Sequence, residues 1–152
     1  MSSASTTFTS GQSPTAAQVN GWAQGTLGYA QAVANQTGIT TVVDVTGLTA
    51  TVTVVANRRI RITGYCQGQS SVAGDGLTFR IMEGATQLQD CPMDVTTANR
   101  SITFHTQVVI QPSAGAHSYK MTFQRYAGTG TALVGASTSA PAFILVEDIG
   151  AV

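Results

Sequence analysis

Charged residues are scarce in this chain. Only 9% of the 152 residues are charged, against about 25% in an ordinary soluble domain. The 7 basic residues cancel the 7 acidic ones, so no net field draws the protein toward nucleic acid or anionic lipid. The composition therefore argues against nucleic-acid and membrane partners. It predicts a surface that is rich in hydroxyl groups or covered by other proteins.

Cysteine and long apolar runs are also lacking. The 2 cysteines, Cys66 and Cys91, are too few for a disulfide scaffold. Cys66 falls on the apolar side of a strand pattern, which predicts a buried free thiol. No stretch approaches the roughly 20 apolar residues that span a bilayer. The first residues lack a basic region and an apolar core, so a secretory signal is not expected and the chain should remain in the cytoplasm.

Catalytic and metal-binding patterns are missing as well. His105 and His117 have no second ligand at metal spacing and are interpreted as surface residues. Asp75 lies in a Gly-rich turn, where Asp is favoured for local hydrogen bonding. Glu147 and Asp148 are adjacent on a strand and point to opposite faces, which argues against an acid/base pair. With no nucleophile elbow, phosphate loop or dinucleotide fingerprint, we predict no enzyme, no cofactor and no metal site.

The N-terminal part of the chain predicts a flexible arm and then a helix. Residues 1–12 are small and polar, and residues 13–37 are interpreted as an anchoring helix and linker. Three helix glycines cost about 1 kcal/mol each relative to alanine, so this element needs packing to offset the cost. It either folds on its own domain or orders against a neighbouring subunit. The apolar stripe consists of Val19, Trp22, Ala23, Leu27, Ala30 and Val33.

From residue 38 to residue 152 the pattern alternates with a period of two. About eight strands separated by short turns, with no helix between them, predict an antiparallel jelly-roll β-sandwich. The length is typical of a single domain. The positions expected to face the core are Leu48, Ala50, Val52, Val54, Ile60, Ile62, Gly64, Cys66, Leu77, Phe79, Ile81, Ile102, Phe104, Val108, Ile110, Tyr119, Met121 and Phe123.

The most apolar run, "PAFILVEDIG", stands near the C-terminus. Residues 142–146 are apolar without alternation, which is typical of a central strand buried on both faces. Glu147 and Asp148 are expected to mark its emergence into solvent. The sequence thus predicts that the last strand is held in the middle of a sheet.

One cluster of arginines has two interpretations. Arg58, Arg59 and Arg61 lie within four positions, and Arg80 is expected to share the outer face of their sheet. The preferred interpretation is a solvated face that prevents edge-to-edge aggregation. The alternative is a contact for an acidic protein partner through Arg59, Arg61 and Arg80, because arginine suits bidentate carboxylate recognition.

Several phrases of the sequence resemble small virion structural proteins of tailed bacteriophages, especially those that infect actinobacteria. They include "TVVDVTGLTATVTVVANRRIRITG", "SSVAGDGLTFRIMEGATQLQ", "PSAGAHSYKMTFQR" and the final "PAFILVEDIG". The upstream "SPTAAQVNGWAQGTLGYAQAV" is similar to the helical lead-in of such modules. These modules resemble the C1q/TNF jelly roll, which is typically a trimer with its C-terminal strand near the centre.

The resemblance implies a non-enzymatic homotrimer in the virion, assembled in the host cytoplasm. It would be a capsid decoration or fibre-head protein, and a minor tail protein is the alternative placement. We expect Val19, Trp22 and Leu27 to anchor it to capsid or tail proteins, because an aromatic residue with its helical neighbours is a typical interface hot spot. The other alternative is an adhesion module that binds a host cell-wall glycan through Tyr126.

Overall fold

The computed structural model describes residues 13–16, 19 and 22–152, and in this part of the chain the regular elements are strands. In chain order they are β1 (Gly25–Ala32), β2 (Gln36–Ile39), β3 (Val43–Val54), β4 (Arg58–Ser70), β5 (Gly76–Glu83), β6 (Thr86–Asp94), β7 (Ile102–Ile110), β8 (Gly115–Ala127), β9 (Ala132–Gly135) and β10 (Ala142–Ala151).

The strands form two antiparallel sheets that pack face to face. Sheet 1 has the order β1-β10-β4-β9-β2, and β7 pairs with the free side of β4. Sheet 2 has the order β3-β8-β5-β6. The predicted all-β antiparallel sandwich is confirmed, and the crossovers between the sheets are those of a jelly roll.

The C-terminal strand is central, as predicted. β10 lies between β1 and β4 in sheet 1 and pairs with both along most of its length. It runs as far as Ala151, so the expected emergence into solvent at residues 147 and 148 is wrong for Asp148, which is 3% exposed. Asp148 lies in the inward phase of the strand, and an ion pair makes its burial tolerable.

The core lies between the sheets and contains the predicted residues. The inward positions of β3, β4, β5 and β8 are fully or nearly fully buried, and those of β7 are buried or packed against the core. The rings of Phe79, Phe104 and Phe123 meet edge to face at the centre. Gly64 and Gly68 of β4 lie opposite this cluster, where a side chain would leave too little room for the rings.

The helix predicted from residue 13 onward is wrong from Gly25, because residues Gly25–Ala32 form strand β1. Two glycines explain the preference for a strand. Gly25 has a φ of 79°, and a Cβ on Gly28 would lie 2.7 Å from Cγ1 of Val52. Upstream, the N–H of Val19 donates to the carbonyl of Thr15, as in one helical turn. The predicted arm, residues 1–12, lies outside the described residues.

The sandwich has two ends with different contents. The base holds Trp22, the β3–β4 turn, the β5–β6 turn and the C-terminus, where the N–H of Val152 donates to the carbonyl of Asn57. The top holds the loops 71–75, 95–101 and 128–131. Because antiparallel strands reverse direction at each turn, the segment leading into β1 and the C-terminus lie at the same end.

Candidate interaction faces

The outer face of sheet 1 presents apolar and aromatic side chains near its centre. Register places Gln31, Phe143, Tyr65 and His105 in one row across β1, β10, β4 and β7. The next row runs through Tyr29, Leu145, Thr63 and Gln107. We call Tyr29, Tyr65, Phe143 and Leu145 the aromatic face.

The rings of the aromatic face contact one another. Tyr65 stacks on Phe143 with centroids 5.6 Å apart and planes at 20°, and Tyr29 lies 6.0 Å from the same ring. Tyr29 is 52% exposed, although its hydroxyl is held by Gln31 at 2.9 Å. Tyr65, Phe143 and Leu145 are partly exposed. Contiguous apolar surface of this kind on a sheet face is typical of a protein–protein contact.

Toward the base, the aromatic face is bordered by an ion pair. Arg61 donates to Glu147 at 2.9 Å, and these two residues form the next row with Thr26 and Val109. Arg59 is exposed beside them. Two of the three arginines expected to contact an acidic partner therefore border the aromatic face, and one of these is already paired with an acid of its own chain.

The third arginine lies on the other sheet, so the expected shared outer face of Arg80 with Arg59 and Arg61 is wrong. Arg80 is in β5 of sheet 2, where it donates to Asp90 at 3.3 Å and to Gln124 at 2.8 Å. Sequence spacing could not show that β4 and β5 separate into different sheets after the top loop. The contact role of these arginines stays a prediction.

The outer face of sheet 2 is mostly polar, with Tyr126 as an exposed aromatic residue near the top. Thr78 donates to Asp90, and Lys120 pairs with Asp44 at 2.9 Å. Thr51 and Ser118 are joined across β3 and β8 at 3.1 Å. These polar groups are therefore satisfied within one copy of the chain, unlike the aromatic face.

A buried ion pair closes the base. The guanidinium of Arg58 donates to both carboxylate oxygens of Asp148, at 2.7 and 2.8 Å, and also to the carbonyl oxygen of Trp22. Burial raises the pKa of Asp148, but the Arg58 hydrogen bonds and charge and the Gly150 and Gln24 N–H groups outweigh it, so the pKa is lowered. The pair thus fixes the segment before β1 to the base.

The residues predicted as the anchor occupy different environments. Val19 is 44% exposed and Trp22 is 49% exposed. Leu27 lies in β1 and packs against the core. A helical stripe that includes all three is therefore absent, because Leu27 belongs to a strand. Their role in anchoring stays a prediction.

At the top, Asp75 joins two loops. Its buried carboxylate accepts from the Ser70 hydroxyl, from the N–H of Thr129 at 3.1 Å and from the N–H of Gly130 at 3.1 Å. These hydrogen bonds, Ser70 first, hold the pKa of Asp75 below its usual value despite burial. Its role is structural, but Thr129 and Gly130 lie more than fifty residues away instead of within the turn, as the sequence suggested.

Tyr126 also lies at the top, on the outer face of sheet 2. The residue is 46% exposed and its hydroxyl donates to Asp94 at 3.2 Å. Burial of the hydroxyl and then the negative charge of Asp94 raise the pKa of Tyr126. A Cβ on Gly76 would lie 2.7 Å from Cε2 of Tyr126, so one side of the ring rests directly on the backbone of β5.

The histidines differ from each other. His105 is exposed beside Tyr65, as expected for a surface residue. His117 is partly buried at the base, where Nδ1 lies 2.6 Å from Glu83 and Nε2 lies 2.9 Å from the carbonyl of Ser113. The Glu83 hydrogen bond and then that of Ser113 raise the pKa of His117. Its interpretation as a simple surface residue is wrong.

Metal sites and membrane spans were sought in the same residues. Within residues 13–16, 19 and 22–152, no three His, Cys, Asp or Glu side chains come together as metal ligands. Over the same ranges, no helix has the length and hydropathy to traverse a bilayer. Both cysteines are free, and burial raises the pKa of the Cys66 thiol, as befits the predicted buried thiol.

The aromatic face was missed by the sequence analysis, although one signal was available. Residues 28–31 alternate small, aromatic, small and polar, which is a strand pattern with Tyr29 outward. The helical spacing of the residues around them concealed this pattern. The face exists only because β1 is placed beside β10.

Two solved structures share this fold. Murine APRIL matches with a TM-score of 0.54 over 83% of this chain and 100% of that one, at 9% identity. Eiger TNF from S. frugiperda matches with a TM-score of 0.51 over 84% of this chain and 94% of that one, at 12% identity. No family model and no curated protein matches the sequence. The comparisons establish a TNF-like jelly roll and leave the phage origin a prediction.

Proposed function

We propose that this protein is a non-enzymatic structural subunit that self-associates as a homotrimer through the aromatic face. The single observation that carries the proposal is that Tyr29, Tyr65 and Phe143 form a mutually contacting, partly exposed cluster on the outer face of sheet 1. Burial of such a cluster is favourable at about 25 cal/mol per Å² of apolar surface removed from water. Copies of the chain are the partners proposed for it.

The proposed stoichiometry follows from fold and symmetry. The C1q/TNF resemblance of the sequence implies three copies, and the TNF-like fold supports that resemblance. A closed trimer uses head-to-tail interfaces, in which the aromatic face of one copy meets a different surface of the next. β10 would then lie near the three-fold axis, which accounts for its apolar residues on both sides.

The proposed setting is the virion of a tailed bacteriophage. It rests on the sequence resemblance, and the arrangement of the base supports it. Arg58 and Asp148 fix Trp22, just before β1, at the base. Val19 and Trp22, which are 44% and 49% exposed, are the residues that we propose to contact capsid or tail proteins. The top is left facing away from the particle, as a decoration, fibre-head or minor tail protein requires.

Light scattering of the purified full-length chain tests the trimer. We expect three times the monomer mass of 15.7 kDa at micromolar concentration. Phe143→Asp places a charge in the contact and should raise the dissociation constant at least about 100-fold, as expected for a hot-spot residue. Thr49→Asp, which adds the same charge on the outer face of sheet 2, is the control and should leave the mass unchanged. A wild-type monomer, or equal effects of both variants, would contradict the proposal.

Removal of residues 1–21 tests the anchor. This deletion keeps Trp22 and the whole of β1, so the trimer should remain folded by circular dichroism and light scattering. We expect the shortened trimer to lose co-sedimentation with particles. The full-length Phe143→Asp variant distinguishes anchoring from trimer formation, because it should not form the trimer but keeps the N-terminal segment. Undiminished co-sedimentation of the shortened trimer would refute anchoring by this segment.

A second candidate function is adhesion to the host surface. The exposed ring of Tyr126 at the top, opposite the base, favours it. Binding of the isolated protein to host cell walls that disappears with Tyr126→Ala would support this candidate. Binding that is unchanged by the substitution would show that Tyr126 is not the residue that binds the host surface.

A further inference from the structure

Asp94 differs from the other acidic residues of the described chain. Five acids are paired with a basic side chain, and Asp75 is buried with hydrogen bonds from several donors. Asp94 is exposed and has no Lys, Arg or His within ion-pair distance among the described residues. In a chain with so few charges, an unpaired carboxylate stands out.

The neighbour of Asp94 is the ring of Tyr126. The phenol hydroxyl donates to Oδ1 of Asp94 at 3.2 Å, which leaves Oδ2 for another donor. One side of the ring rests on Gly76, and the residue as a whole is still 46% exposed. The ring is thus held in place with its other side accessible.

An aromatic ring beside an unpaired carboxylate is complementary to a cation. Ring faces attract ammonium and guanidinium groups, and a carboxylate adds charge-assisted hydrogen bonds. Arginine suits both parts, because its planar guanidinium stacks on a ring while its N–H groups reach a carboxylate. A neutral sugar could stack on the ring but would gain little from the charge of Asp94.

We propose that Tyr126 and Asp94 form a docking site for an arginine side chain of a partner protein. The site lies on the outer face of sheet 2 at the top, while the aromatic face belongs to sheet 1 and Trp22 of the proposed anchor lies at the base. It is therefore separate from the aromatic face of the proposed trimer and from the proposed particle anchor. It does not depend on either, since all of its residues come from one copy.

A peptide titration tests the site. The probe is a hexapeptide of alternating Arg and Gly, added to the full-length protein while the amide NMR signals of residues 127 and 128 are followed. Tyr126→Leu should weaken binding about two- to fivefold through loss of the ring. Asp94→Asn, which can still accept from Tyr126, should weaken it by a similar factor. Added salt should weaken wild-type binding.

Matched controls make the result decisive. Asp44→Asn removes one negative charge from the same sheet face, away from the ring, and should change the affinity less than the Asp94→Asn variant. The same peptide with citrulline in place of arginine keeps the planar group without its charge and should not bind. Equal effects of the two Asn variants, equal binding of the citrulline peptide, or binding of a neutral cell-wall oligosaccharide in place of the arginine peptide would overturn the proposal.

Discussion

The two sheets of the sandwich distribute polar and apolar groups in opposite ways. Sheet 2 keeps apolar side chains inside and covers its outer face with hydrogen-bonded threonines and ion pairs. Sheet 1 carries rings and Leu145 on its outer face and buries an ion pair, Arg58 with Asp148, at the inner edge of its base. The ion pairs and threonine hydrogen bonds of sheet 2 are made within a single copy, whereas the aromatic face gains stability only when it is covered.

The sheets differ in a second way, within the core. Sheet 2 contributes Phe79, Tyr119 and Phe123 to the core. On β4 of sheet 1, Gly64 and Gly68 lie opposite the aromatic rings and Met121. Large residues on one sheet therefore meet small ones on the other, as dense packing requires. The comparison yields three predictions on stability.

The largest expected effect comes from the buried charge of sheet 1. Asp148→Ala leaves Arg58 charged and buried, so the free energy of unfolding should fall by about 3–5 kcal/mol. Asp44→Ala breaks the exposed ion pair with Lys120 on sheet 2 and should cost less than about 1 kcal/mol. Urea unfolding at fixed protein concentration measures both. Similar losses for the two variants would show that the sheets do not differ in this respect.

An intermediate effect is expected from the core glycines. A Cβ on Gly68 would lie 2.7 Å from both Phe104 and Phe123, so Gly68→Ala should destabilise the fold by about 1–3 kcal/mol. Gly135 lies on the neighbouring strand β9, with 3.5 Å to the nearest atom, and Gly135→Ala should change stability by no more than about 0.5 kcal/mol. The melting temperatures of the Gly68→Ala and Gly135→Ala variants, measured by thermal unfolding, test this difference. Equal melting temperatures would mean that the rings can move aside.

The smallest effect concerns His117 in sheet 2. Glu83 raises the pKa of His117 in the folded protein above 6.5. The stabilisation from their interaction is therefore complete below pH 6.5 and is lost as the pH rises through the folded pKa. His117→Asn should therefore destabilise the protein by less than about 1 kcal/mol near pH 6 and by less still near pH 9. A loss of stability that does not depend on pH would show that His117 contributes only by packing.

Much of the fold was predictable because strand alternation is a local property. The inward residues of β3, β4, β5, β7 and β8 follow from a period of two, and the opposite directions of Glu147 and Asp148 follow from the same rule. The same rule did not predict the strand around Leu27, because the spacing of its apolar residues also fits a helix. Pairing with β10 and the close approach of Gly28 to Val52 decided for a strand.

The interaction faces were less predictable, because each depends on which strands become neighbours. Arg61 and Arg80 look alike in sequence, yet one borders the aromatic face and the other lies on sheet 2. Tyr126 was singled out as an exposed aromatic, but its contact with Gly76 and Asp94 joins three different strands. No sequence pattern reports the register between distant strands.

The sequence by itself determined the low charge, the alternating strands and an apolar final strand, because composition and periodicity are properties of the chain. Only the tertiary structure decided that Tyr29, Tyr65 and Phe143 form one cluster, that Asp148 is buried against Arg58, and that Asp94 has no cation beside it among the described residues. These are matters of proximity between distant segments, which the packing of two sheets sets and local preference does not.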